Sequence, residues 1–319
     1  MTATPLPEIV SVVGIVGSGV IGASWASLFL ARGLSVDLFD KAGDVETTTI
    51  SFIRRAWPQL QALDMVADGL DLDTALTHLT MCDSAAAAVS RAEFIQESVP
   101  EKLPVKHATY AEIEPALRPD AVVSTSSSGL LLGDMQQGWK DASRFILGHP
   151  FNPPHLIPLV ELLGNEHTSE GVLEWAAGFY ESCGKETIFV RKEVPAHVAN
   201  RLQAAVWREA IHLVAEGVAS VADVDKAMRA GPGLRWSVMG PHMLFNLGSG
   251  GLGIDGFCDR YGDSFQVWWD SLGSPQLSPE IAQQLADGIA EEEAGRSFDA
   301  LVAERDAKLI AAMKALKSD

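Results

Sequence analysis

The chain has 319 residues, 47% of them hydrophobic, and is therefore long enough to bury one large or two moderate cores. Its 24 basic and 42 acidic side chains give a net charge of −18, which repels a phosphate backbone and excludes nucleic acid as an expected partner. No stretch approaches the roughly 20 apolar residues of a membrane span, and the N-terminus lacks a signal-peptide pattern. We expect a cytoplasmic protein without a membrane partner.

The first 40 residues show the alternation of a β-α-β unit. The β-branched run VSVVGIV at 10–16 predicts a buried strand, and IGASWASLFLARG at 21–33 has the apolar spacing of a helix that ends at Gly33. SVDLFD at 35–40 predicts a second buried strand.

Strand and helix patterns continue to alternate farther along the chain. The predicted strands are HLTMC at 78–82, AEFIQES at 92–98, DAVVSTS at 120–126, LIPLVE at 156–161 and ETIFVRK at 186–192. Helical segments such as 105–117 and 169–184 lie between them. This alternation predicts an α/β fold, a Rossmann-type doubly wound and mostly parallel sheet.

After KEVPA at 192–196 the pattern changes to helices with little strand signal. The predicted helices cover 197–217, 221–231, 278–294 and 297–316, whereas GSGGLG at 248–253 predicts a flexible or tightly turned loop. We therefore predict two domains, a dinucleotide-binding domain over 1–194 and an all-α C-terminal domain over 195–319.

A glycine-rich turn joins the first strand to the first helix. It consists of Gly17, Ser18, Gly19, Val20, Ile21 and Gly22, in the pattern GxGxxG. Glycines permit the tight turn and a close approach of the backbone to a pyrophosphate, and the helix N-terminus offers unpaired N–H groups. The pattern predicts a dinucleotide site.

The predicted second strand ends in an acidic residue, Asp40. A carboxylate at this position accepts hydrogen bonds from the adenosine ribose and repels a 2′-phosphate, which favours NAD over NADP. Lys41 follows directly and leaves some tolerance of NADP open.

One histidine stands in GHPFNPPHLIPLVE at 148–161, at the end of an apolar run and before restrictive prolines. Imidazole is a side chain suited to general-base catalysis near neutral pH, and a return strand over LIPLVE would bring Glu161 back beside His149. From the residues alone, a structural histidine and a surface glutamate remain the alternatives. The three cysteines stand in no metal-ligand spacing, so we predict reduced thiols and no metal site.

Five motifs in order give a resemblance to the 3-hydroxyacyl-CoA dehydrogenase superfamily over nearly the whole chain. They are GSGVIG at 17–22, ESVPEKLPVK at 97–106, STSSSGL at 124–130, GHPFNPP at 148–154 with VE at 160–161, and HVANRLQ at 197–203. The resemblance implies NAD as cofactor and a homodimer formed through the helical domain.

The resemblance also implies roles for individual residues. His149 is the implied base, Glu161 its orienting partner, and Asn200 a donor to the reacting oxygen. The implied serine falls on Ser128, although Ser126 and Ser127 leave a shift of register open. Glu101, Lys106 and Asn152 are implied contacts of the cofactor, and Ala196 departs from the glycine of many relatives.

Two further segments, 231–241 and 258–273, look most like the branch of L-gulonate 3-dehydrogenase (lambda-crystallin) and L-carnitine dehydrogenase. Arg235 in the first segment is a candidate to bind a substrate carboxylate, with a surface ion pair as the alternative. Aromatic residues such as Trp268 and Trp269 fit either a pocket for a trimethylammonium group or a core.

The resulting expectation is an NAD-dependent enzyme that oxidises the 3-hydroxyl of a small L-3-hydroxy acid, L-gulonate-like or L-carnitine-like. An acyl-CoA thioester as substrate is the alternative within the same chemistry. A non-catalytic, crystallin-like NAD-binding protein is the alternative from another class.

Overall fold

The computed structural model of the protein describes residues 6–316. Its sheet has eight strands, in the order β3-β2-β1-β4-β5-β6-β7-β8. The strands are β1 (Val12–Val16), β2 (Ser35–Phe39), β3 (Leu79–Met81), β4 (Phe94–Glu97), β5 (Val122–Thr125), β6 (Phe145–Pro150), β7 (Leu159–Leu163) and β8 (Glu186–Phe189).

Neighbouring strands are parallel with one exception, the antiparallel pair of β6 and β7. From β1 the chain proceeds outward in one direction through β2 and β3, then returns to build the other half from β4. This reversal of strand order opens a crevice at the carboxyl ends of β1 and β4, where doubly wound folds bind ligands. The predicted fold class is confirmed.

Seven α-helices and one 3-10 helix (Glu114–Ala116) accompany the sheet within residues 6–198. The α-helices are α1 (Val20–Ala31), α2 (Val45–Ala62), α3 (Leu72–Leu76), α4 (Ala85–Val89), α5 (Leu103–Ile113), α6 (Leu132–Gln136) and α7 (Val172–Ser182). Helix α1 is buried from Gly22 to Ala31 because it is apolar on nearly every face. It ends at Ala31, close to the predicted Gly33, whose φ of 80° is the left-handed conformation that glycine adopts without strain.

Aromatic side chains from the sheet and its helices form much of the core. Trp25 and Phe29 of α1 stack with ring centroids 5.3 Å apart. Phe94 of β4 contacts Phe179 of α7 at 4.4 Å and meets Tyr180 edge-on at 5.4 Å. These side chains are at most 8% exposed, so they hold α1 and α7 on one face of the sheet.

The chain divides into two compact units after Ala199. We call the part up to Ala199 unit 1 and the part from Asn200 unit 2. The helices beyond β8 are α8 (Ala199–Ala215), α9 (Val221–Ala230), α10 (Pro232–Trp236), α11 (Pro241–Gly248), α12 (Gly253–Ser271), α13 (Pro279–Glu293) and α14 (Phe298–Leu316). The predicted all-α character of this part is confirmed.

Serine caps set two of these helix starts. The hydroxyl of Ser220 accepts from the backbone N–H of Asp223 at 3.1 Å, and that of Ser278 accepts from Ile281 at 3.4 Å, directly before Pro279. The predicted turn at 248–253 is present, with positive φ at Gly250 and Gly251. The sequence pattern did not predict α10, α11 or α12.

None of the helices in residues 6–316 combines the length and apolar composition that a membrane span requires. Cys82, Cys183 and Cys258 are free thiols. Burial raises the pKa of the Cys183 thiol to about 11.

Candidate active site

The glycine-rich turn lies at the carboxyl end of β1 and leads into α1. Gly17 has a φ of 97°, and a Cβ there would lie 2.6 Å from the carbonyl of Ser98. A Cβ on Gly22 would lie 1.8 Å from the carbonyl oxygen of Gly17, so this glycine permits the close packing of the helix on the turn. Gly19 has nothing within 4 Å of its Cβ position, which leaves the helix N-terminus open to a phosphate. The three glycines therefore fit a dinucleotide.

Asp40 directly follows β2 and holds this turn in place. Its Oδ2 accepts a hydrogen bond from the backbone N–H of Ser18 at 2.6 Å, and its Oδ1 accepts from Ala42 at 3.0 Å. Each carboxylate oxygen has a second lone pair, so Asp40 retains acceptors for a ribose hydroxyl. An apolar cleft beside Asp40, lined by Phe39, Val99 and Val105 among others, has the character that an adenine ring requires.

His149 and Glu161 face each other across the antiparallel strands. The register of β6 and β7 pairs the two residues directly, and His149 Nδ1 lies 2.7 Å from Glu161 Oε2. The predicted return strand is therefore present. A carboxylate only accepts, so the neutral ring carries its proton on Nδ1 and its lone pair on Nε2.

The Glu161 carboxylate is buried and ionised. Its second oxygen, Oε1, accepts from the backbone N–H groups of Val198 and Ala199, both at 2.9 Å. Burial alone would raise the pKa of Glu161, but the hydrogen bonds from His149, Ala199 and Val198 outweigh it and hold the pKa below its usual value. A buried negative charge beside the ring stabilises the imidazolium that forms when Nε2 takes a proton.

Three serines follow β5 at the same edge of the sheet, and two of them have partners in the protein. Ser126 Oγ lies 2.8 Å from Gln96 Nε2 and 2.9 Å from Ser98 Oγ. Ser127 Oγ is buried and donates to Glu101 Oε1 at 2.5 Å. Ser128 is exposed and thus presents the hydroxyl that a ligand reaches most easily.

Glu101 fixes the conformation of this serine loop. Besides the Ser127 hydroxyl, its Oε1 accepts from the backbone N–H groups of Ser128, Gly129 and Leu130 at 2.8–3.1 Å. Burial tends to raise the pKa of Glu101, but the hydrogen bonds from Ser127 and Gly129 contribute to a net lowering. Glu101 is therefore an ionised anchor that holds Ser128 in place.

Lys106 lies inside the protein. It is 1% exposed, and its Nζ donates to Glu97 Oε1 at 2.8 Å, to Glu97 Oε2 at 3.0 Å and to Thr125 Oγ1 at 3.3 Å. An ammonium has three protons, and these three acceptors use them all. This arrangement leaves no proton of Lys106 for the expected contact with a nicotinamide. Lys106 is instead the counter-ion of Glu97.

The remaining predicted site residues lie on a loop and in unit 2. Asn152 is exposed after β6, directly before Pro153. Asn200 is half-buried at the start of α8, and Arg235 is exposed on α10. Residues 6–316 contain no cluster of three metal-binding side chains.

The sequence analysis missed one residue of the site, His197. Its ring is 1% exposed and lies beside that of His149, with centroids 5.3 Å apart. The only signal was its place in the HVANRLQ motif, of which the prediction used Asn200 alone.

Comparison with known proteins gives consistent matches along the chain. Residues 12–194 match the family model "3-hydroxyacyl-CoA dehydrogenase, NAD binding domain", and residues 197–284 match the model of the C-terminal domain of the same family. The chain is 44% identical over 309 residues to an L-carnitine dehydrogenase of Streptomyces coelicolor, covering 97% of this chain and 96% of that protein. It is 38% identical to an L-carnitine dehydrogenase of Pseudomonas putida, covering 95% and 92%.

Two solved structures share the architecture. One is 5-formyl-3-hydroxy-2-methylpyridine 4-carboxylic acid 5-dehydrogenase, an NAD+-dependent dismutase, with a TM-score of 0.82, 26% identity and coverage of 97% of this chain and 99% of that one. The other is FadB2 of M. tuberculosis, with a TM-score of 0.67, 27% identity and coverage of 88% and 95%.

Proposed function

The chain belongs to the 3-hydroxyacyl-CoA dehydrogenase family, and on that premise we propose that it oxidises the 3-hydroxyl of free L-carnitine, or of a closely similar L-3-hydroxy acid, with NAD as the hydride acceptor. The observation that carries the proposal is the buried His149–Glu161 pair at the carboxyl edge of an NAD-binding sheet. The choice of a free acid rests on the near full-length similarity to L-carnitine dehydrogenases.

In the proposed mechanism His149 is the general base. Its Nε2 takes the proton of the substrate hydroxyl while Nδ1 stays bonded to Glu161, so the positive charge that forms lies beside a carboxylate. The glycine-rich turn and Asp40 would hold NAD, which would supply the acceptor for the hydride of carbon 3. The substrate thus loses one proton to the protein and one hydride to the cofactor, which leaves a 3-keto acid.

Two polar groups are proposed to hold the reacting oxygen. The hydroxyl of Ser128 is exposed on a loop that Glu101 anchors, which supports its choice over Ser126 and Ser127. The amide of Asn200 is the second proposed donor, as the family resemblance implies. Both groups would stabilise the carbonyl as it develops.

The cofactor site is proposed to use the glycine-rich turn for the pyrophosphate and Asp40 for the adenosine ribose. The open Cβ position at Gly19 and the free lone pairs of Asp40 support these roles. Glu101 remains a proposed contact on the nicotinamide side, and Asn152 remains a proposed hydrogen-bond partner of the cofactor. Lys106 is left out of this set because its protons are bonded to Glu97 and Thr125.

Arg235 is proposed to bind the substrate carboxylate. Its guanidinium is exposed on α10, where it has the charge and the two-pronged geometry that a carboxylate needs. A thioester carries no charge at that position, so this residue favours a free acid.

We further propose a cytoplasmic homodimer formed through unit 2. Large apolar side chains of this unit are solvent-exposed, with Trp268 at 55% and Trp269 at 59%. Exposed apolar surface of this extent is typical of an interface.

The test is NADH formation with L-carnitine, L-gulonate, L-3-hydroxybutyrate and 3-hydroxybutyryl-CoA, for wild type, His149→Ala and the control His167→Ala. His167 is exposed and lies outside the site, so its variant should keep full activity. We expect turnover of L-carnitine, reduced about 10²–10⁴-fold in His149→Ala because the base is lost.

Other outcomes would identify an alternative function. Turnover of the thioester alone would make the protein a true 3-hydroxyacyl-CoA dehydrogenase. Binding of NAD without turnover of any hydroxy compound would indicate a non-catalytic, crystallin-like role.

A further inference from the structure

The segment that joins β8 to α8 carries His197 into direct contact with the catalytic pair. The His197 ring lies against that of His149 at a tilt of 50°, with centroids 5.3 Å apart. The next two residues, Val198 and Ala199, donate their backbone N–H groups to Glu161 Oε1. One short segment therefore contacts both members of the pair.

Both ring nitrogens of His197 are buried, and neither makes a hydrogen bond of normal geometry within residues 6–316, although the Ser127 carbonyl lies near the ring. His155, which is also buried, shows how this chain satisfies a histidine: its Nδ1 lies 2.7 Å from Ser24 Oγ and its Nε2 lies 2.7 Å from Gln59 Oε1. A phenylalanine at 197 would fill a similar space without the cost of desolvating two polar atoms. The unpaired nitrogens thus indicate a partner that is not part of the chain.

The backbone at this point has a strained conformation. Ala196 and His197 are consecutive L-residues with φ of 64° and 51°, in the left-handed region that disfavours side chains. The His197 N–H donates to the carbonyl of Val194 at 3.2 Å, and the bonds to Glu161 hold the residues that follow. Strain of this kind is found most often at functional sites, where the surrounding structure enforces it.

His197 is held in its neutral form. Burial lowers its pKa, and a positive charge on His149 lowers it further, while Glu161, the Ser127 carbonyl and Glu101 act in the opposite direction without reversing the shift. A neutral imidazole offers one N–H donor and one lone pair. The ring is therefore suited to a single hydrogen bond to an acceptor.

We propose that His197 is a substrate-binding residue, and that its N–H donates to the carboxylate of the free 3-hydroxy acid. This inference rests on the proposed function, in which His149 Nε2 holds the 3-hydroxyl. In such an acid the carboxyl carbon is only two bonds from carbon 3, so a ring in contact with His149 is close enough to reach its oxygens. A hydrogen bond to a carboxylate is stronger than one to a neutral thioester carbonyl, and His197 therefore favours free acids.

The test is the variant His197→Phe, which keeps the ring and removes both nitrogens, assayed with L-carnitine and NAD. We expect KM for L-carnitine to rise about 10- to 100-fold, the effect of losing one bond to a charged group, with kcat changed far less. His197→Asn, which retains a donor, should recover part of the loss. His167→Phe, on the exposed surface, is the matched control and should leave KM unchanged.

Binding is measured in parallel, by titrating L-carnitine into the complex of each protein with NADH. This readout needs no turnover, and equal affinity of wild type and His197→Phe would overturn the proposal. Equal affinity and equal KM while wild type oxidises L-carnitine would overturn the role of His197 alone. If wild type oxidises only 3-hydroxybutyryl-CoA, both the free-acid function and the carboxylate contact fail.

Discussion

Unit 1 and unit 2 place their apolar side chains in opposite environments. In unit 1 large residues such as Trp25, Phe29 and Phe94 are fully buried between sheet and helices. In unit 2 Leu234, Val238, Trp268 and Trp269 are between 55% and 69% exposed. Among the described residues of unit 2, the buried apolar side chains are Ile211, Val214 and Val221.

The difference shows that the two units obtain stability from different sources. A parallel sheet covered by helices buries both of its faces, so unit 1 contains its own core. Helices that expose aromatic side chains gain stability only when another surface covers them. If that surface is a second copy of the chain, the stability of unit 2 depends on protein concentration, whereas that of unit 1 does not.

The largest effect is expected from a cavity in the core of unit 1. Phe94→Ala removes a fully buried ring that contacts Phe179 and Tyr180, and should lower the free energy of unfolding by about 3–5 kcal/mol. Urea denaturation at two protein concentrations measures the loss. A loss that varied with concentration would contradict the assignment of Phe94 to a self-contained core.

A smaller effect, and one that depends on concentration, is expected in unit 2. The double substitution Trp268→Ser and Trp269→Ser should weaken self-association by about 2–3 kcal/mol, because it would remove aromatic contacts from the proposed interface. Sedimentation over a range of concentrations gives the dissociation constant. If the double variant associates as tightly as wild type, the interface lies elsewhere. The control is Glu280→Ala, an exposed position on α13.

Within the site of unit 1, Glu161→Gln should lower the free energy of unfolding by about 1–2 kcal/mol at neutral pH, because the charged acceptor of the bonds from His149, Val198 and Ala199 becomes a neutral amide. The pKa of Glu161 is lower in the folded state than in the unfolded state. The contribution of the ionised carboxylate to the free energy of unfolding is therefore complete above the pKa of the unfolded state, about 4.3. It is lost as the pH falls through the lower pKa of the folded state. Thermal unfolding of wild type and Glu161→Gln between pH 3 and 7 should show a difference in stability that becomes smaller as the pH falls. A difference that stays constant over this range would contradict the prediction.

The smallest effect is a gain of stability at the strained turn. Ala196→Gly should raise the free energy of unfolding by about 0.5–1 kcal/mol, since a φ of 64° strains alanine and not glycine. Chemical denaturation measures the gain, and Ala205→Gly, on the exposed face in the interior of α8, is a control expected to lower stability. A loss at both positions would mean that the turn relaxes without strain.

Much of unit 1 was predictable because the relevant signals are local. β-branched runs, the glycine-rich turn and Gly33 each describe a few consecutive residues, and alternation of the elements restricts the topology. In unit 2 the helix α12 was missed because Gly253, Gly256 and Gly262 interrupt it and its apolar residues do not mark one buried face.

The predictable part of the site ends where long-range contacts begin. The pairing of His149 with Glu161 follows from one strand return, so a short segment contains the signal. Lys106 lies on helix α5, and its burial depends on Glu97 of β4 and Thr125 of β5, so no local pattern shows it. His197 was missed because a left-handed backbone at Ala196 leaves no trace in hydrophobic periodicity.

The two oxygens of Glu161 have separate partners, and this determines which substitutions the neighbouring positions tolerate. Oε2 accepts a hydrogen bond from the imidazole of His149 on β6, whereas Oε1 accepts from the main-chain amides of Val198 and Ala199. Of the possible substitutions at those two positions, only proline removes the amide hydrogen. Positions 198 and 199 are therefore free to vary in side chain yet closed to proline. Mutational tolerance at these positions would follow the presence of an amide hydrogen rather than size or polarity.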